Sequence, residues 1–334
     1  MPEPSLVPPQ RPAKRRGRLF RLGSALTVLA AVAGYLVVQY VTSGAGAPGC
    51  TVVSGRGDGT SYKFTPEQAS NAATITAVGT GRGMPQRAVA IALATALQES
   101  GLRNIEHGDR DSLGLFQQRP SMGWGTEKQI MEPTYAAGAF YKHLAKVPGY
   151  TGLPLTVAAQ RVQRSGYPEA YAKHEPDATL LAAALTGQSA ATLTCQGSPA
   201  SGTAEAAVRT GPGAVRAALA RDFGRDALDL AGTEVGATAP PSPRPASEAT
   251  ARIVTVPVPD DPKADRAGRT ERQRGWQLAH WAVANSSTLH ISRVSYAGRE
   301  WTAGSTDSRW RTVRGLGAAG AERAAGSVRI VTGR

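Results

Sequence analysis

The sequence predicts an α+β protein built in sections: a single N-terminal transmembrane helix, a mainly α-helical domain, a linker and a small C-terminal α/β domain. Three observations predict this. An uncharged apolar run at residues 22–41 follows a basic cluster. Residues 60–195 carry repeated helix start and stop signals. From 196 to 250 the composition shifts to Ala, Gly, Ser, Thr and Pro, culminating in Ala239-Pro240-Pro241-Ser242-Pro243-Arg244-Pro245, and strand and helix patterns then return over 251–334. A chain of 334 residues is long enough for two compact domains and their connections.

Residues 1–21 form a basic tail in which Arg11, Lys14, Arg15, Arg16, Arg18 and Arg21 face only Glu3. Residues 22–41 hold no charge and one amide, Gln39, enough to span ~30 Å of hydrocarbon. Positive charge before the span keeps the N-terminus cytoplasmic and sends the bulk of the chain across the cell membrane. A cleaved signal peptide, cut near Ala31-Val32-Ala33, is the competing reading. The apolar run exceeds the ~7–15 residues of such a peptide, which favours an uncleaved anchor. Cys50 after Ala47-Pro48-Gly49 is weakly like a lipoprotein site, but the Pro and the distance from the apolar run count against that.

Residues 44–59 read as a Gly-rich tether. Cys50 and Cys195 bracket the next segment, and the exported compartment permits a disulfide. Closing a loop of that length contributes roughly 5 kcal/mol in the loop-entropy model; two unpaired structural cysteines are the alternative. Thr65-Pro66-Glu67 starts a helix with a capping hydroxyl and a first-turn Pro, and residues 79–83 break it. Pro85 opens a second helix that stops at Gly101. Its stretch 88–97 is apolar all round except Thr95, so it is buried rather than amphipathic. Residues 104–125 read as turns and short strands, and helices recur at 133–146, 154–164 and 168–185. Within the linker, 214–230 is compatible with one helix. In the last section, strands at 252–258, 289–296, 300–302 and 327–332 surround a helix at 270–285.

The formal charge of +13 favours anionic partners: nucleic acid, lipid headgroups or cell-wall polymers. No zinc-finger spacing, aromatic-and-basic RNA signature or heptad-backed basic region is present, so nucleic acid is not an expected partner. His107, His143, His174, His280 and His290 lack ligand spacing, and no metal or other cofactor is expected.

Glu99 stands out by position. A carboxylate ending a buried helix is disfavoured in its ionised form by burial and by the helix dipole, and both push its pKa up. An acid kept protonated near neutral pH is what glycosidic cleavage needs. The bland reading is that Glu99 is the first exposed residue at a helix end.

The string Ala96-Leu97-Gln98-Glu99-Ser100-Gly101-Leu102, then Asp111-Ser112-Leu113-Gly114-Leu115-Phe116-Gln117-Gln118, then Ala158-Ala159-Gln160-Arg161-Val162-Gln163-Arg164-Ser165-Gly166-Tyr167-Pro168-Glu169-Ala170-Tyr171 resembles the lysozyme-like superfamily, in particular soluble lytic transglycosylases and muramidases. The stretch around Gln117-Gln118-Arg119-Pro120-Ser121 and Trp124-Gly125 is similar to a group of exported actinobacterial proteins. The resemblance implies a peptidoglycan substrate and Glu99 as general acid/base. It also implies Gln117 and neighbouring Gln118 as sugar-binding amides, and Tyr171 or Tyr167 as the groove tyrosine. Arg119, Trp124 and His107 are further groove candidates. Two-carboxylate hydrolysis requires a partner, for which Asp109 and Asp111 are the nearby candidates. If Asp111 only caps the turn, Glu99 acts alone, as in a transglycosylase. In the last section, Gly275-Trp276-Gln277-Leu278-Ala279-His280-Trp281 and Val294-Ser295-Tyr296-Ala297-Gly298-Arg299-Glu300-Trp301 resemble a domain akin to zinc D-alanyl peptidases. The His and Asp ligands are missing here, which implies a non-catalytic remnant. The expected function is peptidoglycan glycan-strand cleavage; the alternative is a membrane-anchored, non-catalytic peptidoglycan binder or scaffold.

Overall fold

The computed structural model describes residues 49–167, 169–196, 211–224, 252–258, 268–304, 309–315 and 317–333, and these form a mixed α+β structure. The expected spanning segment 22–41 and the basic tail lie outside the described residues. Among the described residues no helix is long and apolar enough to cross a membrane.

The first sheet is small. Strands β1 (Cys50–Val53), β2 (Ser61–Phe64) and β3 (Leu193–Cys195) pair antiparallel in the order β2-β1-β3. The range 44–59, expected as a tether, thus supplies a strand. Cys50 and Val52 alternate inward in β1, and burial of those two side chains holds the strand despite the Gly-rich turn that follows. Cys50 and Cys195 are register partners and form the disulfide.

Helix α1 (Pro66–Gly81) begins with a complete capping box between Thr65 and Gln68. Helix α2 (Gln86–Ser100) ends at Gly101 in the left-handed conformation, φ 64°. Residues 88–97 are all buried, as the apolar pattern requires. Short α3 (Glu127–Ile130), then α4 (Pro133–Leu144), α5 (Leu155–Gln163) and α6 (Glu175–Leu185) complete the helical part. Helices α4, α5 and α6 all pack on α2, making it the central column. The helix expected from 168 starts only at 175, after a 3₁₀ turn at Ala172–His174.

Within the range read as linker, α7 (Pro212–Phe223) buries Val215, Ala218 and Leu219. Strands β4 (Ile253–Pro257), β5 (Ile291–Tyr296), β6 (Arg299–Thr302), β7 (Arg311–Thr312) and β8 (Ser327–Thr332) form an antiparallel sheet ordered β4-β8-β5-β6-β7. Helices α8 (Glu271–Ala284) and α9 (Ala318–Arg323) accompany it. Two-residue β7 and six-residue α9 were too short to read from pattern. The described residues of 251–334, expected as a separate domain, share one hydrophobic core with the helical part, and the described residues from Gly49 on make one compact unit. The junction is polar as well as apolar. Gln277 Nε2 donates to Thr80 Oγ1 at 2.7 Å, Ser70 Oγ to Asn285 Oδ1 at 2.7 Å, and Trp310 Nε1 to the Leu193 carbonyl at 2.9 Å.

Candidate active site

The end of α2 is fixed from three sides. Ser100 Oγ donates to the Leu115 carbonyl at 2.8 Å, drawing the following turn across the helix end. From α1, Gln68 Nε2 reaches the Gly101 carbonyl and Asn71 Nδ2 the Leu102 carbonyl, each at 2.8 Å. Side chains of α1 thereby hold the two residues that follow the helix, and Glu99 is held at a defined position.

The turn is built on Gly114 (φ 74°), where a Cβ would press on the Ile130 carbonyl, and on reciprocal 3.0 Å backbone bonds between Leu113 and Gln118. Gln117, at the tip, adopts φ 47°, an uncommon conformation for a residue with a side chain. That geometry separates two adjacent glutamines. Gln117 lines the cleft, its Nε2 donating to the Gly114 carbonyl at 3.2 Å. Gln118, expected beside it at the sugar, is 1 % exposed and its Nε2 donates to the Ala136 carbonyl at 3.1 Å. It is a buried packing residue.

Glu99 faces an open cleft of about 800 Å³, with Gln117, Trp124, His143, Gln163 and Tyr167 among its walls. Tyr171, fully buried, donates its hydroxyl to Glu99 Oε1 at 2.6 Å. Burial raises the Glu99 pKa above the usual carboxylate range, and hydrogen bonds from Tyr171 and Gln163 oppose the rise without cancelling it. Burial, with the neighbouring Glu99 carboxyl, also keeps the Tyr171 phenol protonated far above its ordinary range. The two tyrosines divide their expected role: Tyr171 contacts Glu99, whereas Tyr167 stands 77 % exposed on the cleft wall.

Asp111 is not brought to the cleft. Its Oδ1 accepts from Arg119 Nε at 2.7 Å and its Oδ2 from the Ser121 backbone at 2.9 Å; the Ser121 hydroxyl first, then these two donors, hold it far below the usual carboxylate range. It braces the turn as an anion. Asp109 does line the cleft, as do Arg119 and Trp124; His107 is not among its walls.

Sequence reasoning passed over Gln163. Its Nε2 donates to the Phe116 carbonyl at 2.8 Å, joining α5 to the turn beside Glu99. The only signal was an amide pair, Gln160 and Gln163, on the polar side of α5. His143 was also missed; its ring lies 4.2 Å from that of Trp124, and burial and nearby cations hold it below its usual pKa. Among the described residues no group of three or more His, Cys, Asp or Glu is placed to hold a metal ion. In comparison with known proteins, no family model and no curated protein matches this chain, so the chemistry of the cleft rests on its own residues.

Proposed function

We propose that this protein cleaves the glycan strands of peptidoglycan, with Glu99 acting as general acid and then as general base, and that it does so outside the cytoplasmic membrane, anchored through residues 22–41. The observation that carries the reading is the protonated-side Glu99, bonded to buried Tyr171 and facing an open cleft. In the first step Glu99 gives its proton to the glycosidic oxygen as the bond from that oxygen to the anomeric carbon breaks. The resulting carboxylate keeps the Tyr171 hydrogen bond, which stabilises its charge while the anomeric carbon is cationic.

The second step requires a nucleophile from which Glu99 takes a proton. With Asp111 committed to Arg119 and Ser121, the sugar's own 6-hydroxyl is the favoured nucleophile, and attack on the anomeric carbon gives a 1,6-anhydro product. If Asp109 directs a water instead, the product carries a reducing end. The disulfide supports the extracytoplasmic assignment, since oxidising compartments sustain such bonds.

The test is to incubate the ectodomain, and its Glu99→Gln form, with purified peptidoglycan and weigh the released muropeptides by mass spectrometry. The expected outcome is anhydro-muropeptides from the wild type and a loss of at least about a hundredfold in the variant. Reducing-end products would assign a hydrolase. No product from either protein, with retained wall binding, would replace cleavage by a scaffold role.

A further inference from the structure

The cleft walls carry four cations: Arg119, Lys146, Arg161 and Arg164. Arg119 is neutralised by Asp111 at 2.7 Å. The other three are exposed, and none makes an ion pair with any described residue. The exposed acid that also lines the cleft is Asp109, while Glu99 is biased toward its neutral form. The three cations come from two helix ends: Lys146 just beyond α4, Arg161 and Arg164 at the end of α5. Arg164 holds φ 52° at the C-cap of α5, a left-handed position usually given to glycine. The strained backbone keeps a guanidinium at the cleft where the least costly residue would carry no side chain. These charges also reach into the wall: after burial, Lys146, Lys142 and Arg164 contribute to lowering the His143 pKa. The remainder of this wall is uncharged and ring-rich, with Trp124 against His143 and exposed Met122 and Tyr167 alongside.

We infer that Lys146, Arg161 and Arg164 form a carboxylate-recognising wall, so that the cleft selects glycans bearing acidic substituents over neutral polymers of N-acetylglucosamine. The inference rests on the proposed glycan-cleaving role and names its substrate class. Trp124, Met122 and Tyr167 offer apolar surface to any pyranose ring and do not discriminate. The guanidinium groups do, because a planar fork binds a carboxylate through two hydrogen bonds. On peptidoglycan that carboxylate belongs to the lactyl group or to the stem peptide attached there.

The experiment uses the Glu99→Gln ectodomain, which holds substrate without turning it over, and measures binding by calorimetry. Three soluble ligands are compared: an N-acetylglucosamine oligomer, a peptide-free glycan with lactyl carboxylates, and the same glycan carrying stem peptides. Affinity for an acidic glycan is expected to exceed that for the neutral oligomer by about tenfold or more. The advantage should disappear in Arg161→Gln/Arg164→Gln, return only in part in Arg161→Lys/Arg164→Lys, which keeps the charge without the fork, and shrink with added salt. The ligand showing the gain identifies which carboxylate is read. Equal binding of neutral and acidic glycans, or no change on removing the two arginines, overturns the inference and leaves the glycan-cleaving reading standing. Binding of none of the three overturns both.

Discussion

In the proposed site two side chains, Glu99 and Tyr171, share a hydrogen bond that bears on its pH dependence. Tyr171 donates to Glu99 and thereby favours the carboxylate, while burial favours the acid and prevails. Protonated Glu99 is the form that can donate to a leaving oxygen, so activity should fall as pH rises through its elevated pKa. Replacing Tyr171 with Phe removes the larger of the two hydrogen bonds that favour the Glu99 carboxylate and leaves burial less opposed. The expected result is an alkaline limb moved to higher pH, with kcat lowered by about tenfold or more because the carboxylate loses its stabilising bond. A pH–rate profile that keeps its alkaline limb in place would separate Tyr171 from the chemistry. Glu99 is legible in the sequence, because an apolar run ending in Glu-Ser-Gly states both burial and a helix terminus. The pair Gln117 and Gln118 is not. Identical neighbours in one turn receive opposite fates from the backbone conformation at residue 117, which follows from packing around Gly114 rather than from residue type.

Punctuation decides which elements the sequence reveals. The helices opening at Thr65-Pro66 and Pro85 were readable because caps and prolines act locally. Strands β1 and β3 are four and three residues long and gain their partners across the whole helical part, so no local pattern announces them. Helix α8 shows how close packing constrains an element beyond its pattern. Gly275 lies against the ring of Tyr296 on β5, where a Cβ would overlap the ring atoms. Tyr296 is buried and meets Trp276 edge-on at 5.3 Å. Gly275→Ala gains helix propensity worth up to about 1 kcal/mol. It must also displace that ring, at a cost of roughly 1–3 kcal/mol. A lower urea midpoint for the variant is therefore expected, by an amount equivalent to about 1–2 kcal/mol; an unchanged or higher midpoint would mean that the sheet yields freely.

At the scale of the molecule, two buried polar groups join the helical part to the C-terminal sheet. Asp222 of α7, with a side chain 0 % exposed, accepts from Thr74 of α1 at 3.1 Å and from Trp281 Nε1 of α8 at 2.8 Å. It came from a stretch whose composition reads as linker, and its importance depends on partners 148 and 59 residues away. Asp222→Ala leaves those donors buried without an acceptor, and a loss of about 3 kcal/mol is expected by chemical denaturation. His280 of α8 is the second group. Its Nδ1 contacts the Ala184 carbonyl at 2.7 Å and its Nε2 faces the Thr192 N–H at 3.2 Å, an arrangement that fits the neutral ring with its proton on Nδ1. Complete burial lowers its pKa to about 4. Below its ordinary value of about 6.5 the unfolded chain takes up a proton that the folded chain refuses. The contribution of His280 is thus fully present above about pH 6.5 and is lost as pH falls toward 4, by roughly 3 kcal/mol. His280→Gln should flatten that part of the stability–pH curve; an identical acid slope in both proteins would assign the loss to other groups.

The bridge between Cys50 and Cys195 has a mechanical meaning as well. The residues on either side of it, Gly49 and Gln196, are themselves joined by a backbone hydrogen bond of 2.6 Å, so the two chain ends of the helical part leave it at one point. A pull applied along the chain through Gly49 and Gln196 runs from one sulfur to the other and bypasses residues 51–194. The cleft and Glu99 therefore sit on a closed covalent ring that carries none of that load. Under the proposed function, a chain held at a membrane by one end and at a wall by the other would be stretched to the limit of its connections while Glu99 stays slack.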